Sequence, residues 1–350
     1  MTASGVSQGR GASGPGTDFA RLAREIRGAG LLERRRGYYA ARMTVNLMLL
    51  AAGVLVLLWL GDSWWQLLTA VFLAVVFTQF AFIGHDAGHG QIFRSRWAND
   101  VVGYVHAAIT GISYQWWVDK HNRHHANPNH EEHDPDIDIA ALAFSREQSH
   151  TKRGLNRWVT KYQAFLFFPL LTVEAVLLRV AGVHAVLRGQ VRRPGLEGVL
   201  LLVPLAGYLT ALFLLLSPGK AVLFLLVHQA VMGLYLGCSF APNHKGMPML
   251  TRDQKLDHLR KQVLTSRNIT GGRWVDGVLG GLNHQIEHHL FPHMPRPNLR
   301  RAQPLVHDFC IRHGIPYNQC GLLASYKQVL QHLHDAGATL RRPLTPDTAR

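Results

Sequence analysis

Four stretches of this chain run 18–20 residues without a charge: 43–60 (MTVNLMLLAAGVLVLLWL), 65–84 (WQLLTAVFLAVVFTQFAFIG), 198–216 (GVLLLVPLAGYLTALFLLL) and 221–240 (AVLFLLVHQAVMGLYLGCSF). About 20 apolar residues carry a helix across the hydrocarbon core of a bilayer. Lipid offers the backbone no hydrogen-bond partner, so such segments must be helical. The runs fall into two pairs, each joined by a four-residue hinge, GDSW at 61–64 and SPGK at 217–220. The expected architecture is an all-α integral membrane protein with four transmembrane helices in two hairpins. A fifth apolar stretch, 163–183, contains Pro169, Glu174 and Arg179. Charges at mid-span cost about 2.5–3.5 kcal/mol each, so this stretch is expected to lie in or near the interface.

The charge balance then acquires a meaning. Lys plus Arg number 37 against 22 acidic residues, a net charge of +15. Such an excess fits nucleic acid or an anionic surface. Its placement argues otherwise, because the two hinges hold a single basic residue, Lys220. By the positive-inside rule the opposite face is cytoplasmic. No nucleic-acid recognition motif accompanies the charge, so no nucleic-acid partner is expected. Three cysteines exclude a disulfide-rich scaffold. The chain divides into a disordered and basic N-terminal segment (1–42, with a Gly/Ser/Thr-rich tail over 1–17), a membrane domain (43–310) and a C-terminal tail (311–350). Short helices of a cytoplasmic cap are expected after Pro295 and Pro297.

Histidine, at 21 residues, is almost as frequent as all acidic residues together. Seven histidines fall into clusters. His85 and His89 stand four apart in HDAGH, at the end of the second run. His121, His124 and His125 stand at offsets 0, 3 and 4 in HNRHH. His288 and His289 follow Gln285 at the same offsets in QIEHH. Offsets of three and four put side chains on one helical face. Imidazole suits Fe, Zn, Cu and Ni, and seven ligands exceed the need of one ion, so a dimetal site held in the cytoplasmic cap is expected. All clusters share one side of the membrane only if 163–183 does not cross. His244, just past the fourth run, is expected to complete the set, with Asn243 the alternative, acting through a water. Asp86, Asp134, Asp136 and Glu287 are candidates to orient ligand imidazoles. His130 and His133 miss the helical offsets and are expected to be non-ligands. His228 lies mid-span beside Gln229 and reads as a hydrogen-bonded interior residue. Trp116 and Trp117 either line a substrate channel or anchor the interface.

HDAGH, HNRHH and QIEHHLFPHMPR resemble the histidine boxes of the membrane-bound fatty acid desaturases, in that family's order and topology. The likeness spans about 40–310 and is closest to the front-end acyl desaturases, whose third box similarly begins with Gln. The resemblance implies two Fe ions, O2 as co-substrate, and two electrons from a redox partner. It implies His85, His89, His121, His124, His125, His288 and His289 as ligands, His244 as an additional one, and Gln285 in the place of a ligand histidine. Many front-end relatives carry a fused cytochrome b5 domain with an HPGG motif. No HPGG occurs here, and the 42 residues before the first run are too short for such a domain. The expected donor is therefore a separate ferredoxin or cytochrome with its reductase.

The expected activity is desaturation of a fatty acyl chain, linked to CoA or to a membrane lipid, in a multi-pass protein of a bacterial plasma membrane with its site on the cytoplasmic face. A hydroxylase or oxygenase of acyl, alkyl or carotenoid substrates would use the same metal site. A membrane metal transporter would carry ligands along its spans, where only His228 stands here.

Overall fold

The computed structural model describes residues 17–341. In chain order its helices are α1 (Asp18–Gly28), α2 (Arg36–Leu60), α3 (Gln66–Gly88), α4 (Arg96–Thr110), α5 (Tyr114–Ala126), α6 (Arg146–Thr151), α7 (Gly154–Lys161), α8 (Gln163–Leu171), α9 (Glu174–Leu187), α10 (Pro194–Leu215), α11 (Pro218–His244), α12 (His258–Leu264), α13 (Arg273–Val278), α14 (Gln285–Leu290), α15 (Arg296–Arg312) and α16 (Leu322–Ala336). Two short parallel strands, β1 (Asn268–Thr270) and β2 (Gln319–Gly321), pair Ile269 with Cys320.

Four of these helices, α2, α3, α10 and α11, are long and apolar enough to cross a membrane. They coincide with the four uncharged runs, and α2 begins seven residues earlier than its run. The inner pair is α3 and α11, with 50% and 39% of their apolar windows buried, against 17% for α2 and 11% for α10. The outer pair presents Leu47, Met48, Leu55 and Trp59, and Val199, Leu202, Val203 and Leu214, to the surroundings. Lipid is as apolar as these side chains, so helix association rests on close packing rather than on burial from water. Close approach is visible where α11 meets the α8–α9 corner. A Cβ on Gly233 would stand 2.6 Å from the Leu171 carbonyl oxygen, and one on Gly237 2.5 Å from Leu171 Cδ2.

Both hinges lie at one end. Asp62 of the first accepts from the Ser217 backbone N–H (2.9 Å) and pairs with Lys220 (3.1 Å) of the second. Gln66 closes the first hairpin by donating to the carbonyls of Leu57 (2.7 Å) and Gly61 (2.9 Å). The C-termini of α3 and α11, and with them His85 and His244, lie at the other end.

The stretch expected to form one interfacial helix over 163–183 is instead two helices, α8 and α9, bent 70° from one another. Pro169 precedes the corner, and proline withdraws a backbone donor where the chain turns. α4 returns along α3 and is followed by α5. The turn at Gly111 (φ 72°) returns the chain, and Ile112 packs on Ala74 of α3.

Above the histidine end sits a cap with its own apolar core. Leu22 and Ile26 of α1 pack with Leu259, Val263, Ile286, Leu299, Val306 and Phe309 of α12, α14 and α15. Thr17 caps α1 by accepting from the Ala20 N–H (3.2 Å). The rest of the tail expected over 1–17 lies outside the described residues. The stretch 311–350, expected as a tail, carries the packed helix α16, whose Val329 and Leu333 join Phe167 of α8; residues 342–350 lie outside the described residues.

Candidate metal centre

Three helices and one short turn of helix bring the histidines together. α3 runs without a break through His85, and His89, its C-cap, bonds back to the His85 carbonyl (3.1 Å). α5 carries His121, His124 and His125. α11 ends on His244, and α14 carries Gln285, His288 and His289. All eight imidazoles face one chamber.

They sort into two groups. His85, His89, His121 and His288 each offer a ring nitrogen, and all four atoms lie within 4.8 Å of one another. His124, His244 and His289 form a second group by the same measure. His125 stands between the groups, with Nε2 3.1 Å from His121 Nε2 and its ring stacked on His289 at 4.0 Å.

The protonation pattern suits metal binding. Burial, reinforced by neighbouring imidazoles, holds His89, His121, His125, His288 and His289 well below the usual histidine pKa. Neutral rings keep a free lone pair, as a ligand must. In the three-histidine group every Nδ1 faces an outer acceptor: Asp134 Oδ1 for His124 (2.9 Å), the Thr265 carbonyl for His244 (3.0 Å) and Gln262 Oε1 for His289 (2.9 Å). Such partners fix the tautomer and aim Nε2 inward. In the four-histidine group Asp86 faces His85 Nδ1 at 3.2 Å. The Nε2 atoms of His85, His89 and His289, and both ring nitrogens of His288, are buried without a hydrogen-bond partner. Buried polar atoms left in this state are costly, and a cation in each group would take one lone pair from each of these rings.

The remaining candidates divide. Asp134 also accepts from the Asn129 N–H (2.7 Å) and the Asp136 N–H (2.9 Å). Burial works to raise its pKa, but the His124 ring and Lys245 outweigh it and bring it below the ordinary value. Asp136 lies 3.5 Å from His124 Nδ1 and pairs with Lys120. Glu287 does not touch a ligand imidazole. Its carboxylate accepts from Asn268 and Tyr317 (both 2.7 Å), tying α14 to the start of β1. Asn243 donates to the Ser239 carbonyl (3.0 Å) and approaches Gln285 at 3.4 Å, while Gln285 Nε2 lies 2.9 Å from His244 Nε2. His130 and His133 stack on each other at 4.5 Å, outside the chamber. His228 meets Gln229 at 3.1 Å within α11.

Sequence reading missed Gln262 and Thr265, which hold two of the rings, and two buried arginines, Arg267 and Arg296, described below. Thr265 acts through its backbone, which leaves no residue signal. Arg296 stands in the motif MPRPN shortly after the third cluster, and its position there was the available clue.

An apolar pocket with a volume of about 50 Å3 lies beside the chamber. It is lined by His85 and Trp117, and by Gly84, His106, Ala107, Ile112, Leu178 and Phe240. Trp117 stacks on His121 at 4.5 Å, and Trp116 packs beside Ala175 and Met232. Both therefore belong to the interior.

Fold and site together define a class: a helical membrane protein with a polyhistidine chamber at one end of its spans and an apolar cavity beside it. The family model for fatty acid desaturase matches residues 62–321. An acyl-lipid (9-3)-desaturase of Physcomitrium patens is 32% identical over 317 residues, covering 87% of this chain and 60% of that protein. A Delta(8)-fatty-acid desaturase of Helianthus annuus is 29% identical, covering 94% of this chain and 75% of that protein. A Delta(6)-fatty-acid desaturase of Caenorhabditis elegans is 29% identical over 90% of this chain and 74% of its own length. The chain belongs to the fatty acid desaturase family, oxidoreductases that act on fatty acyl chains.

Proposed function

We propose that this chain is an O2-dependent fatty acyl desaturase that places a carbon–carbon double bond in an acyl chain linked to CoA or to a membrane lipid. One observation carries the reading: two groups of buried imidazole nitrogens, each within 4.8 Å, beside an apolar cavity. His85, His89, His121 and His288 would hold one iron. His124, His244 and His289 would hold the other, with His125 between them and Gln285 beside His244. Bound iron would supply the O2-dependent removal of two hydrogens from adjacent methylenes, using two electrons from a separate donor.

The chain's own residues position and exclude. The cavity walls hold the acyl chain against the chamber by apolar contact, and Trp117 packs between that cavity and the His121 ring. Holding the reacting carbon in one place is a large part of what a protein adds to such chemistry. The cap keeps bulk water out: His288 and His289 are each 1% exposed. Asp134, Thr265 and Gln262 keep protons on the outer nitrogens of their partner rings.

The basic face opposite the hinges supports a cytoplasmic site and an acidic donor, a ferredoxin or a cytochrome with its reductase, drawn by electrostatic steering. Turnover with such a donor should fall with ionic strength.

Expression in a host with simple fatty acids, followed by gas chromatography–mass spectrometry, tests the reading. A new alkene is expected. A new alcohol, or no product from protein loaded with iron and supplied with electrons, would overturn it.

A further inference from the structure

Two arginines are buried in the cap, Arg267 with no exposure and Arg296 at 5%. A guanidinium out of water is expensive unless its donors are met. Arg267 makes most of its bonds at the end of one inner helix; Arg296 reaches the end of the other through Nη2, while its Nε is buried without a hydrogen-bond partner.

Arg267 grips the end of α11. Its backbone N–H donates to the Asn243 carbonyl (2.8 Å), Nε to the Pro242 carbonyl (2.9 Å) and Nη2 to the Lys245 carbonyl (2.8 Å). Nη2 also reaches Pro242, and Nη1 reaches Gln328 of α16. The last carbonyls of a helix lack intrahelical partners and carry its negative dipole end. A rigid cationic fork fits that end. His244 sits among these carbonyls, and its Nδ1 is held by Thr265, two residues before Arg267. Gln262, in the same segment, holds His289.

Arg296 grips the end of α3. Nη2 donates to the Phe82 carbonyl (2.7 Å) and lies 2.7 Å from Asp86 Oδ2. The other oxygen of Asp86 faces His85 Nδ1. The Arg296 backbone N–H donates to Tyr39 of α2 (3.1 Å), whose hydroxyl donates to Gln91 (2.9 Å). Arg296 thus reaches the four-histidine group through Asp86, and nothing in this set touches His124, His244 or His289.

We propose that Arg267 and Arg296 are positioning residues with separate duties: Arg267 holds His244 in the three-histidine group, and Arg296 holds His85 in the four-histidine group. The two metal positions then have independent supports and fail one at a time. This rests on the reading above that each group holds an iron.

The test loads detergent-purified full-length protein anaerobically with 57Fe(II). It reads iron per chain by mass spectrometry and the quadrupole doublets by Mössbauer spectroscopy. His244→Ala and His85→Ala supply the reference spectra of protein with one damaged group. Arg267→Gln should weaken one iron about 10–100-fold, the usual effect of losing an outer partner, and leave the spectrum of His244→Ala. Arg296→Gln should leave that of His85→Ala. Arg267→Lys and Arg296→Lys keep the charge and should recover part of the lost iron at the same position. They carry the test if either Gln variant does not yield folded protein. Full iron with an unchanged spectrum in the variants, or equal loss of both irons in each, would overturn the inference. If the wild type binds no iron, it is the metal reading that fails, and the two failures are distinct.

Discussion

Replacing Asp134 with Asn changes one atom and exposes how the site is held. The side chain has no solvent exposure and receives three donors on two oxygens: His124 Nδ1 and the Asp136 N–H on Oδ1, and the Asn129 N–H on Oδ2. An amide has one oxygen. Its best orientation keeps that oxygen at Oδ1 and turns the NH2 toward the Asn129 N–H, donor against donor. Asn129 is 1% exposed, so no water relieves it. A buried donor left unpaired costs about 1–3 kcal/mol. The imidazole also loses a carboxylate that raises its basicity, which typically weakens metal binding about 10–100-fold, or about 1.4–2.8 kcal/mol at 1.4 kcal/mol per decade. The expected outcome is a lower thermal midpoint without metal and a weaker iron affinity at one position only. Iron titration of purified protein, with thermal unfolding followed by tryptophan fluorescence, reads both. Asp119→Asn, at an exposed carboxylate paired with Arg123, should change neither. Iron affinity within twofold of wild type would refute the claim that Asp134 orients His124.

Three other outcomes are expected. His288→Ala should abolish binding of one iron, whereas Gln285→Ala should do less damage; equal loss in iron assays would make Gln285 a ligand. Gly84→Val should project into the cavity, because an added Cβ meets only His106 Cβ, at 3.5 Å; acyl-chain profiles should shift or turnover fall while iron content stays full, and an unchanged profile would remove the cavity from the substrate path. Asp276 is held well below the usual carboxylate range: burial opposes this, but bonds from His284, Arg300 and Asn283 outweigh it. A depressed carboxylate stabilises the fold above its unfolded pKa of about 3.9 and loses that contribution as pH falls through the folded value. Asp276→Asn should therefore be less stable than wild type at pH 7, with the gap narrowing below about pH 4 in denaturant titrations.

The spans were legible because lipid leaves so few options: an uncharged run of twenty residues is a helix. The histidine clusters were legible because offsets of three and four survive translation into structure when the helix is already implied, as at His85–His89 and His121–His125. The 163–183 stretch was read as a helix in or near the interface because Glu174 and Arg179 are costly at mid-span, and the structure bends it by 70°. At the corner between its two helices Leu171 seats against Gly233 and Gly237, a contact between segments some sixty residues apart that no local pattern reveals. The same holds for Gln262, Thr265, Arg267 and Arg296. Each acts through a backbone carbonyl or a long-range bond, and neither composition nor periodicity records such contacts. Glu287 is next to His288 in sequence, yet its carboxylate bonds to Asn268 and Tyr317 rather than to a ligand ring.

Each imidazole group draws on both halves of the chain. His85, His89 and His121 wait for His288, and His124 waits for His244 and His289. During synthesis the first hairpin and α5, with five of the histidines between them, emerge more than a hundred residues ahead of their partners. Neither group can close around an ion until the second hairpin has inserted and the cap has folded over it. An ion held by either group would therefore act as a late fastener between separately inserted halves, and its binding free energy would add to the stability of the finished assembly alone. Starving cells of the metal should shorten the lifetime of the protein as well as silence it.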